Sequence, residues 1–140
     1  MFALSVGLHV LDEAMTNFLA VYNPTVIALK HKLRWWPMPA FDFRSWLGGL
    51  IVFVCFLLLL TPFMLRGARW MRPIAYLLIV IMILNGLGHM LFSILGRTVD
   101  SVRFARPAPG FYSSPLLLVT SIYLLFQLRR TKGSGVEADL

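Results

Sequence analysis

His9, Asp12 and Glu13 lie close together inside the apolar stretch MFALSVGLHVLDEAMTNFLAVY at the start of the chain. Imidazole nitrogen and carboxylate oxygen are ligands for divalent zinc, iron and manganese, and a carboxylate beside such a centre serves as a general base. A charged carboxylate in hydrocarbon costs about 2.5–3.5 kcal/mol on insertion scales, so side chains of this kind inside an apolar segment have partners or a task. On a helix, His9, Glu13 and Asn17 follow one another at i, i+4 and i+8, with Asp12 beside them at i+3 from His9. That spacing makes a polar stripe on one face of an apolar rod.

A second stripe repeats the spacing: Asn85, His89 and Ser93 within IVIMILNGLGHMLFSIL. Together the two stripes predict a metal centre ligated by His9, Asp12, Glu13 and His89, with Asn17, Asn85 and Ser93 orienting the ligands. In a hydrolase built on this set, His9, His89 and one carboxylate hold the metal. The other carboxylate of the Asp12–Glu13 pair is then the catalytic base acting on a metal-bound water. The pattern H-x-x-D-E resembles the zinc-helix motif H-E-x-x-H only loosely, because its second histidine comes from another helix. The competing reading is a buried hydrogen-bond and ion-pair network that fixes helix register without chemistry.

The elements that must position these residues follow from hydropathy. With 59% hydrophobic and 14% charged residues and a mean hydropathy of +0.77, the 140-residue chain reads as an all-α integral membrane protein. Four apolar segments at 2–21, 46–65, 73–95 and 113–128 predict a four-helix bundle forming a single domain over 1–132. Asn23-Pro24 supplies a stop for the first helix, and residues 133–140 read as a disordered tail. Between the first two helices, a segment with Lys30, His31, Lys32, Arg34 and paired tryptophans at 35 and 36 reads as an amphipathic stretch in the headgroup layer. His31 is read there as solvated.

In a four-span chain the first and third helices run in the same direction. Glu13 and His89 then lie roughly 10–15 Å below one face, at 1.5 Å rise per residue, so the stripes can meet. Gly86 and Gly88 would admit a neighbouring helix beside the second stripe. The turn Pro107-Ala108-Pro109-Gly110-Phe111-Tyr112 reads first as a connection into the last helix, and as a cap over the polar site in the sharper alternative.

The net charge of +7 does not indicate nucleic acid, since the thirteen Lys and Arg residues sit in short stretches between apolar runs, where phosphate headgroups and topology require them. Six of them fall on the side of the 66–72 loop and the tail and seven on the other. The compact clusters at helix ends favour both termini in the cytoplasm of a bacterial inner membrane. Cys55, the sole cysteine, excludes an internal disulfide and a cysteine-rich zinc site. A cleaved signal peptide is not expected, because no basic residue precedes the first apolar run.

The motifs His9-Val10-Leu11-Asp12-Glu13, Asn85-Gly86-Leu87-Gly88-His89 and Pro109-Gly110-Phe111-Tyr112-Ser113-Ser114, in that order, resemble the HXXEE family of small multi-span membrane proteins. Here the first acidic position is Asp12, a shorter carboxylate. The resemblance implies a shared membrane fold and a shared polar site, and it supplies no reaction. The functional expectation is a metal-binding membrane protein, extending to a hydrolase or oxidoreductase on a lipophilic small molecule arriving through membrane lipids. A proton-coupled small transporter and an accessory subunit of a larger membrane complex are the alternatives. A haem between His9 and His89 is disfavoured by the adjacent carboxylates.

Overall fold

The structure, a computed structural model, describes residues 1–133. Among them are five helices, α1 (Phe2–Met15), α2 (Leu19–Lys32), α3 (Phe43–Leu65), α4 (Met71–Leu95) and α5 (Ser114–Gly133), where the hydropathy pattern predicts four. A short antiparallel hairpin, β1 (Arg97–Val99) and β2 (Val102–Arg103), joins α4 to α5. The tail expected over 133–140 falls, but for Gly133 at the end of α5, outside the described residues.

The helix expected over 2–21 is broken at residues 16–18. Asn17 adopts φ +57, and the Phe18 amide donates back to the Glu13 carbonyl at 3.0 Å. This is the six-to-one closure of a helix whose next residue turns left-handed, a role that asparagine fills when glycine is absent. Asn17 is therefore the terminator of α1 and exposed, not the third member of a stripe. The predicted stop at Asn23-Pro24 is also displaced, since α2 continues through Pro24. The bond that proline forgoes belongs to the carbonyl of Ala20, an exposed residue. Asn23 instead clamps the following loop, its side chain donating to Phe41 O at 2.8 Å and accepting from Phe41 N at 3.0 Å. The apolar residues of α2 gather on no single face, and only Val26 is buried, so the helical part of the expected amphipathic segment, up to Lys32, has no one-sided character.

α3 begins at Phe43, three residues before the expected start, because the Asp42 carboxylate accepts from the amides of Arg44 (3.1 Å) and Ser45 (3.0 Å). Hydrogen bonds from Ser45, then from the Arg44 amide, hold that exposed carboxyl below its ordinary pKa. α4 tolerates Pro73 in its first turn, where no intrahelical amide donor is required, and ends at Gly96 with φ +67.

α1 packs on α3 and α5, and α4 packs on α5 and α3, while α2 lies against the hairpin. Ala3, Val6, Leu57, Met82 and Leu117 form one core cluster, and Ala75, Ile79 and Leu128 form another. Ser5 and Thr120 share a 2.6 Å hydroxyl–hydroxyl bond between α1 and α5. Gly86 admits α5, not α1: a Cβ there would lie 2.9 Å from Leu118 Cγ. Gly88 meets only Phe92 of its own helix, and Gly48 and Gly49 face open space.

α3 and α4 are long and apolar enough to cross a membrane. Much of their apolar surface faces outward, with Val52, Leu59 and Leu84 69, 71 and 64% exposed. α1 and α2, of 14 residues each, reach about 21 Å at 1.5 Å per residue, short of ~30 Å of hydrocarbon. The apolar part of α5 ends at Leu128, before Arg129 and Arg130.

Candidate metal centre

α1 and α4 run in the same direction where their polar residues meet, since His9 faces Asn85 and Glu13 faces His89. Their backbones stay apart, and the contact is made by these long polar side chains. Glu13 Oε1 lies 3.0 Å from His89 Nε2 and 3.5 Å from His9 Nε2. One ligating atom from each of His9, Glu13 and His89 falls within 4.8 Å of the others. All three are buried, at 2, 5 and 9% exposure. The two imidazoles meet edge to face at 4.9 Å, and the Phe18 ring, held by the turn at Asn17, lies 5.8 Å from His89.

Asp12 is not part of this group. Its Oδ2 accepts from both the amide and the hydroxyl of Ser113, each at 2.8 Å. Asp12, expected as ligand or catalytic base, stands apart from the three residues that converge. One step round the helix from Glu13, Asp12 faces the turn into α5 instead of α4, and its shorter side chain reaches Ser113 there. With the Ser113 hydroxyl donating to Asp12, Ser113 Oγ is free to accept from His9 Nδ1 at 2.8 Å. His9 Nε2 faces Glu13 Oε1 and lies 3.1 Å from Asn85 Oδ1, the donor and acceptor roles of the ring nitrogens depending on the tautomer.

Of the other residues expected to orient ligands, Asn85 does meet His9. Ser93 acts on backbone: its hydroxyl donates to His89 O at 2.7 Å and accepts from Ala108 N at 2.8 Å, tying the 107–112 turn to α4. Asn17 takes no part. Sequence reasoning missed Ser113 and Thr16 as site residues. Ser113 belongs to the Pro109–Ser114 motif already singled out. Thr16 had only its position four residues after Asp12; its hydroxyl donates to Asp12 O at 2.6 Å and accepts from Gly110 N at 3.1 Å.

The 107–112 turn caps the cluster. Gly110, at φ +79, sits so close that an added Cβ would lie 2.9 Å from His89 Cε1 and 3.0 Å from Glu13 Cγ. Neighbouring arginines do not reach in: Arg97 pairs with Asp100 at 2.9 Å, and Arg106 lies over Gly96 with a 3.4 Å bond to Leu95 O.

His9, Glu13 and His89 could together hold a metal ion. Metal–ligand bonds of ~2.0–2.1 Å at tetrahedral angles place ligand atoms about 3.3 Å apart. The two Glu13–imidazole separations, 3.0 and 3.5 Å, lie near that value, while the group as a whole is gathered within 4.8 Å. No protein-family model matches the chain, nor does any curated protein or solved structure.

Proposed function

We propose that this chain is an integral membrane protein that holds a divalent metal ion between His9, Glu13 and His89. The observation that carries the metal is the convergence of ligand-type atoms: two imidazole nitrogens and a carboxylate oxygen gathered in a buried pocket. A carboxylate and two imidazoles brought together in a poorly solvated site are held by a cation they share. A proton shared within an ion-pair network is the rival cation. Asn85 Oδ1 would lie beside the ion, while Ser113 and Asp12 fix the His9 ring, in the manner of hydrogen-bonded carboxylates behind metal-bound histidines.

The membrane setting is supported by α3 and α4, whose apolar outer faces exceed what a soluble surface carries. The core helix of a soluble protein would be mostly buried, and only 6% of the most apolar window of α3 is. α1, α2 and α5 then complete the membrane domain, with the 66–72 loop and both termini on the cytoplasmic side. Kinship with the HXXEE family is proposed on the three motifs, each of which contributes to the cluster or its cap.

A bound divalent ion would supply Lewis acidity and acidify a coordinated water. Chemistry on a lipophilic substrate would draw its base from Asp12, hydrogen-bonded here to Ser113, or from Glu13, which faces the imidazoles. The function supported best is metal binding itself.

Alkaline carbonate extraction of membranes tests the setting, and recovery in the soluble fraction would refute it. The metal is tested by mass-spectrometric analysis of chain purified into lipid nanodiscs without chelator. A stoichiometric zinc, iron or manganese content, lost in His9→Ala and His89→Ala, is expected. Metal far below stoichiometry in wild type, even after incubation with each ion, would leave the proton-bridged network as the correct account.

A further inference from the structure

At the opposite end of the helices from the His–Glu cluster, a cavity of about 820 Å³ opens between α1, α3, α4 and α5. Along α4 it lies about 16 Å from the metal centre, counting from Leu78 to His89 at 1.5 Å per residue. Its walls are mainly apolar, with Phe2, Leu57, Ala75, Leu78 and Leu124 among them, and Tyr123 and Gln127 add polar groups. Arg72 is the one charged side chain among the described residues that line it. Arg72 is half-buried and makes no ion pair with any described residue. Thr61 and Thr120, which also line the cavity, satisfy their hydroxyls on their own helices, at Leu57 O (2.9 Å) and Leu116 O (2.9 Å).

An apolar recess of this size is in the range of small-molecule sites, ~300–1,000 Å³. A guanidinium with no ion-pair partner among the described residues sets the sign of the ligand. The start of α4 adds the positive end of a helix dipole beside Arg72. Guanidinium binds carboxylate through two parallel hydrogen bonds, so one charged head is fixed where the chain of the ligand enters apolar space.

We infer that this cavity binds a single-chain anionic amphiphile, a long-chain fatty carboxylate, with its head at Arg72 and its chain among the α1, α3 and α5 side chains. The site is independent of the metal centre and does not require it.

The test is displacement of the fluorescent fatty acid cis-parinarate from the full chain in neutral detergent micelles, with palmitate and hexadecanol as competitors. The two differ in head charge and share a chain length. Palmitate is expected to compete about tenfold better than hexadecanol, the ratio that one partly exposed charge-assisted contact supplies. In Arg72→Gln the ratio should fall to near one while hexadecanol competes as before. In Leu78→Trp, which fills the recess, both competitors and the probe should lose binding; a circular-dichroism melt confirms that the variant is folded. An unchanged palmitate-to-hexadecanol ratio in Arg72→Gln would overturn the inference. Displacement by a two-chain phosphatidate at far lower concentration than palmitate would overturn the single-chain assignment.

Discussion

Gly110 is where the cap meets the cluster, and Gly110→Ala measures how hard it presses. Two costs add. The backbone at φ +79 disfavours an L side chain by about 1–2 kcal/mol. The new methyl would sit 2.9 Å from His89 Cε1 and 3.0 Å from Glu13 Cγ, and overpacking of this kind costs about 1–3 kcal/mol. Together they predict a loss of about 2–5 kcal/mol. Gly67 provides the control: its φ is +70, yet an added Cβ would meet nothing within 4 Å, so Gly67→Ala carries only the backbone cost. At roughly 4 °C per kcal/mol for a chain of this size, Gly67→Ala should melt ~4–8 °C below wild type and Gly110→Ala ~8–20 °C below. The melts are run in one detergent with metal removed, so that ligand binding does not contribute. Equal shifts in the two variants would refute the claim that the 107–112 turn is packed on His89 and Glu13.

Ser113→Ala severs the link from Asp12 to His9 while keeping every ligand, and should weaken metal affinity about 10–100-fold, read by competition with a chromophoric chelator. An unchanged affinity would mean that His9 is oriented by packing alone. Asn17→Gly should leave the melting temperature unchanged or raise it, whereas Asn17→Val, with a β-branched residue in a left-handed position, should cost about 1–2 kcal/mol. Asn23→Ala removes both bonds to Phe41, worth about 1 kcal/mol each, and should speed amide exchange in the loop ahead of α3. The Asp42 carboxyl is held below its ordinary pKa, so its contribution is full above the usual carboxylate range and fades as pH falls through the lowered value. The melting curves of wild type and Asp42→Ala should therefore separate at neutral pH and converge in acid; a constant gap would count against the cap.

Side-chain chemistry and periodicity alone predict that the residues around His9 and Glu13 and those around Asn85 and His89 form one site. Buried polar groups on an apolar rod need partners, and the second stripe offers them at matching spacing and depth. The long apolar runs likewise predict α3 and α4 to within a few residues, because hydrophobicity sustained over 23 and 25 residues admits little besides a helix.

Two decisions belonged to the tertiary structure. Asn17 is compatible with a continuing helix or with a left-handed stop. The stop wins in a fold where Phe18 packs over His89 and α2 turns away to meet the hairpin. The division of labour between adjacent carboxylates is likewise invisible in H-x-x-D-E, since both residues are acidic and both lie near the stripe. It depends on which neighbour each side chain meets: Glu13 reaches α4 and the imidazoles, while Asp12 meets the Ser113 amide and hydroxyl brought over by the turn into α5. Spacing along one helix fixes the face on which a charge emerges, and only the packing of distant segments supplies the partner that gives it a role.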